Sequence, residues 1–126
     1  MTKTRNKRIE IRIPRFGETD LNFLIAREFP RKVEKLKKIS SELEDQGLDL
    51  ERVMAAILKL AKGNFRELKR LVKIAQMDQR DVIAYAETPR RMALDYQQLS
   101  TMTEEQKEQL RIEDWQEYED WRNGSN

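Results

Sequence analysis

From Leu21 onward the apolar side chains return every three or four positions, and each such run is cut short by a proline, a glycine or a capping residue. A chain patterned this way can only bury its apolar stripes by folding short helices against one another. At 126 residues it is the size of one domain. The expected fold is therefore all-α: a compact bundle of about six or seven short helices, preceded by one short N-terminal strand or extended arm.

The breaks locate the helices. Asp20 caps a first helix carrying Leu21, Leu24, Ile25 and Phe29, which Pro30 stops because its ring clashes with the carbonyl four residues back. Pro30 then suits the first position of a second helix bearing Val33, Leu36, Ile39 and Leu43, and Gly47 suits its end. Asp49 opens a third helix with Leu48 and Val53 at staple spacing, and its buried side would hold Val53, Met54, Ile57, Leu58 and Ala61. Gly63 and Asn64 separate it from a fourth, on which Phe65, Leu68, Leu71, Val72 and Ala75 face the third.

Asp78 caps a fifth helix, with Met77 spaced to staple against Val82, and Thr88 and Pro89 begin a sixth that runs to about Leu99 with Met92, Tyr96 and Leu99 inward. Thr103 and Gln106 offer a capping box for a last helix ending near Arg122. Ahead of all these, Ile9, Ile11 and Ile13 alternate with Arg8, Glu10 and Arg12 before Pro14, the pattern of a strand. The expected layout is a basic arm over residues 1–18, a helical domain over 19–122 and a tail over 123–126.

The stretch from Glu51 to Pro89 carries Gly63 and Asn64 between two helices, then Asp78, Arg80, Asp81, Val82, Ala86, Glu87 and Pro89. It resembles a family of small uncharacterised helical proteins, chiefly bacterial, that share a Gly-Asn or Gly-Asp break and a D-x-RDV…AE-x-P segment. Gln79 and Thr88 stand where that resemblance leads one to expect aromatic residues. The resemblance implies an all-helical, cytosolic protein and transfers no activity and no site residue.

Chemistry is constrained by what is missing. Histidine and cysteine are both absent, which removes disulfides, thiolate nucleophiles, the common zinc sets and the usual base near neutral pH. No GxxxxGK[ST] loop occurs. The expectation is no enzyme, no catalytic residue, no cofactor and no metal. Nothing approaches the roughly 20 apolar residues of a membrane span, and Met1 to Arg8 is too polar to begin a signal peptide, so a cytoplasmic location away from membranes is expected.

Charge is unevenly spread. Residues 1–40 hold 12 basic and 5 acidic side chains, and residues 101–126 hold 3 and 8. On the acidic last helix Trp115, Tyr118 and Trp121 are candidate anchors for a protein partner or a second copy, or else the lid of the chain's own core. The basic arm, with Arg5, Lys7, Arg8, Arg12 and Arg15 around an alternating run, resembles the ribbon of ribbon-helix-helix DNA-binding proteins. Gly17 before the first helix and Pro30 between the next two depart from that fold.

Two further clusters stand out. Arg80 and Asp81 beside Glu87 could hold a metal or phosphate, or simply complete helix ends, with Arg80 bridging to a neighbouring helix. Arg31, Lys32, Lys35, Lys37 and Lys38 form a basic face that reads as solvated. The leading expectation is a noncatalytic helical interaction or regulatory protein with a protein partner or homodimer; the alternative is nucleic-acid binding by the N-terminal arm.

Overall fold

A computed structural model describes residues 12–124. Among them are eight helices and no strand: α1 (Glu18–Glu28), α2 (Val33–Ser41), α3 (Leu50–Ala61), α4 (Phe65–Met77), α5 (Gln79–Glu87), α6 (Pro89–Met92), α7 (Tyr96–Ser100) and α8 (Glu104–Arg122). The all-helical expectation holds. Most of the expected strand lies outside the described residues, and its end, Arg12 and Ile13, is irregular backbone.

Capping residues set most of the boundaries. The Asp49 carboxylate accepts from the N–H of Glu51 at 3.1 Å, Asn64 from Glu67 at 3.0 Å and Asp78 from Arg80 at 2.9 Å. Thr103 and Gln106 close a reciprocal capping box on α8. Each satisfies a helix N–H that would otherwise lack a partner. Between α3 and α4 both Lys62 (φ 51) and Gly63 (φ 75) are left-handed, so the turn needs two residues in that region and has one glycine to supply it.

Several boundaries differ from the sequence reading. The cap of α1 is Gly17; Asp20 sits three residues in and accepts the Gly17 N–H at 3.0 Å. Pro30 lies in a turn, and α2 starts only at Val33. That helix ends at Ser41, well short of Gly47, whose positive φ serves the loop before Asp49. Met77 is 87% exposed, so it does not staple α5. Two short helices replace the expected sixth helix, with Met92 and Tyr96 facing outward, because the Asp95 cap restarts the chain.

α3 is the central element. Val53, Met54, Ala55, Ala56, Ile57, Leu58 and Ala61 are all buried, so it is enclosed on every side by α1, α4 and α5 rather than on one face. Ala55 and Ala56 make this possible, since their small side chains admit close helix neighbours. Around it pack Leu24 and Ile25 of α1, Leu36 of α2, Leu68, Leu71 and Ala75 of α4, and Val82, Ile83 and Ala86 of α5. Truncating a core leucine such as Leu58 to alanine would cost about 2–5 kcal/mol.

The long C-terminal helix closes this core by its last half. Tyr118 and Trp121 are buried. The chain before α1 joins the same core, because Pro14 and Phe16 are buried too, so the helical body begins ahead of residue 18.

Candidate functional site

The N-terminal segment and the C-terminal helix, both read from the sequence as contact surfaces, meet each other. The Phe16 ring lies edge-on to Tyr118 at 6.3 Å, and the Arg122 guanidinium covers Phe16 at 4.1 Å. Arg12 stacks over Trp115 at 5.6 Å. Tyr118 and Trp121 are thus spent on the chain's own core, and only Trp115 remains half-buried. Of the arm's basic residues, Arg15 is exposed and Arg5, Lys7 and Arg8 lie outside the described residues.

Ion pairs lock α8 onto the bundle. Arg90, in the first turn of α6, gives both its backbone N–H and its guanidinium to the buried Asp114 carboxylate, each at 3.1 Å. The same guanidinium reaches Glu117 at 3.0 Å, and Lys59 of α3 reaches Glu117 at 2.8 Å. Burial pushes the Glu117 carboxyl up, and Lys59 and Arg90 together outweigh it, holding the group below the ordinary carboxylate range. None of these partners is local in sequence, so spacing gives no sign of them.

The cluster around Arg80, Asp81 and Glu87 is divided. Glu87 forms a two-pronged pair with Arg52 of α3, at 2.7 and 2.8 Å, and this hydrogen bonding raises the Arg52 pKa. Arg80 does not bridge to another helix; it turns back on Asp78 at 3.1 Å, while Asp81 occupies the third position of α5. A shallow groove of about 350 Å3 between Arg52, Arg80 and Thr88 runs past the pair. Next to these groups the Tyr118 hydroxyl is buried with no hydrogen-bond partner among the described residues, and burial raises its pKa.

A second cleft, also about 350 Å3, lies between the α2–α3 loop and the junction of α4 and α5, with Ile39, Leu43, Gln46, Val72 and Gln79 on its walls. Gln46 stitches that junction: its amide donates to the Ala75 carbonyl at 3.0 Å and its oxygen accepts the Gln79 N–H at 3.0 Å. The buried Gln79 side chain donates to the Glu44 carbonyl at 2.6 Å. The glutamine standing where an aromatic residue was expected thus ties a loop to the core. Thr88, the other departure, donates its hydroxyl to the Ala84 carbonyl at 2.9 Å.

One cluster escaped sequence reasoning. The Phe65 ring at the start of α4 has three ammonium groups around it: Lys32 at 4.7 Å, Lys35 at 5.5 Å and Lys69 at 5.2 Å from its centre. Lys32 and Lys35 belong to the basic face noted on α2, all of whose members are exposed. Lys69 comes from α4, and Phe65, which also lies edge-on to Phe29, is the ring on which the two helices' charges meet.

Residues 88–103 form a different kind of surface. Neither α6 nor α7 has a buried residue, Tyr96 is 86% exposed and Met92 is 38% exposed. Leu94, Leu99 and Met102 are only half-buried.

Comparison with protein-family models, curated proteins and solved structures finds no match for this chain. No helix among the described residues is long and apolar enough to cross a membrane.

Proposed function

We propose that this chain is a noncatalytic helical protein that works by binding a protein partner, and that the partner seats on residues 88–103. The observation that carries this reading is the exposure of apolar side chains on an ordered segment. Its two short helices bring Met92 and Tyr96 to the surface and contain no fully buried residue. The segment is anchored at both ends, by Arg90 on Asp114 and by the Thr103 capping box, so little ordering entropy is lost when a partner docks. Tyrosine suits such a contact, since it adds apolar area with a polar tip and few rotatable bonds. The charged groups near Glu87 support the noncatalytic part of this reading, because Glu87 is paired with Arg52 and Arg80 with Asp78.

A photoreactive side chain placed at Tyr96 of the full chain in its host tests this. A discrete protein adduct is expected from Tyr96 and none from a control probe at Gln76, on the exposed face of α4. An adduct of twice the chain's mass would make the partner a second copy. Equal labelling from both positions, or no adduct from Tyr96, would refute the proposal.

A further inference from the structure

We infer that the face shared by α2 and the N-terminal half of α4, centred on Lys32, Lys35 and Lys69 around Phe65, binds the phosphate backbone of nucleic acid without regard to sequence. Each ammonium lies within 5.5 Å of the ring centre, so any two are separated by at most about twice that distance. That is comparable to the screening length in moderate salt, about 8–10 Å, and the three charges repel one another. None of them joins an ion pair among the described residues. The ring quadrupole offsets part of the repulsion, and a polyanion would remove the rest.

The surroundings add charge of the same sign. Residues 31–38 carry five basic side chains and one acidic, and so do residues 62–73, so these two segments hold a net +8 in a chain whose total is +2. Two of the cations also stand where a helix disfavours them. Lys32 is the N-cap of α2 and makes no capping bond, and Arg66 is in the first turn of α4. Helix N-terminal turns favour anions, but Glu34 and Glu67 already stand in these two turns and Asn64 caps α4, so the lysines rather than the helix ends supply the attraction for phosphate.

The chemistry of the face selects the partner. Protein interfaces are depleted of lysine at their centres and enriched in exposed aromatic residues; here lysines cover the one aromatic ring. A helix lying in a membrane surface needs an apolar face toward the lipid, whereas the apolar faces of α2 and α4 are buried through Leu36, Leu68, Leu71 and Ala75. With no free ring for bases to stack on, contact is confined to phosphates, which carry no sequence information.

Fluorescence anisotropy of the full chain with a labelled mixed-sequence DNA duplex tests this, in a salt titration. Replacing three phosphate contacts in Lys32→Gln/Lys35→Gln/Lys69→Gln should flatten the log–log salt slope by about 2.7, so that between 50 and 200 mM salt the unmodified chain loses about 40-fold more affinity than the variant. A second duplex of unrelated sequence should bind equally well. The arm variant Arg5→Gln/Lys7→Gln/Arg8→Gln should keep the slope difference intact, and circular dichroism should show both variants folded. The inference fails if the unmodified chain does not bind duplex at low salt, if the lysine variant binds as the parent does, or if polyglutamate or phosphatidylserine vesicles bind through these lysines in place of DNA.

Discussion

The Arg27 guanidinium on α1 lies 5.3 Å from the centre of the Trp121 ring and donates to the Trp121 carbonyl at 2.8 Å, so one side chain covers the last aromatic residue of α8 and caps that helix's C-terminal end. Its other nitrogen donates to the Arg122 carbonyl at 2.9 Å. These carbonyls are among the last four of α8, which have no partner within the helix.

Arg27→Ala should therefore lower stability by about 2 kcal/mol, the scale of charged hydrogen bonds plus a lost ring contact. Arg27→Lys should recover little, because an ammonium cannot donate to both carbonyls while lying flat on the ring. Urea unfolding of the full chain measures both. A lysine variant as stable as the parent would show that charge alone, rather than the planar fork, holds α1 to α8.

Tyr118 offers the opposite case. Its ring packs between Phe16 and Trp121, while its hydroxyl is buried with no partner among the described residues. An unpaired buried hydroxyl costs about 1–3 kcal/mol. Tyr118→Phe should accordingly leave stability unchanged or raise it by about 1 kcal/mol, whereas Tyr118→Ala should lower it by about 3–5 kcal/mol through the cavity it opens. Thermal or urea unfolding of the two variants checks the contrast; a destabilised phenylalanine variant would mean that the hydroxyl has a bound partner in solution.

The Glu117 carboxyl sets an acid limit. Its folded pKa lies below the unfolded value because Lys59 and Arg90 outweigh burial. A group depressed in this way contributes stability at pH above its unfolded pKa, about 4.3, and loses that contribution as pH falls through the folded value. Glu117→Gln should lower stability at pH 7 and flatten the decline below about pH 4.3. Urea midpoints measured from pH 7 down to pH 3 test this, and parallel curves for parent and variant would count against it.

The turn-level features were legible from sequence because capping is a local matter. Asp49, Asn64, Asp78 and Thr103 act on amides two or three residues away, and each opens a helix as its spacing suggests. Where the reading failed, either a local cap had been missed or a neighbour distant in sequence had decided the outcome. Met92 and Tyr96 fit a helical stripe but find no helix to face, since the Asp95 cap breaks the segment first. Trp115, Tyr118 and Trp121 share one amphipathic helix, yet the depth of each depends on Arg12, Phe16 and Arg27.

The candidate surfaces divide the same way. Periodicity and capping residues alone determined that this chain is helical, where most of its helices begin, and that α2 carries a basic face. Only the tertiary structure brought Lys69 to Lys32 and Lys35 over Phe65, aimed Arg90 at Asp114, and left α6 and α7 on the surface. Helix formation is governed by hydrogen bonds between residues four apart. Which charges and rings become neighbours depends on how whole helices cross, and no local spacing encodes that.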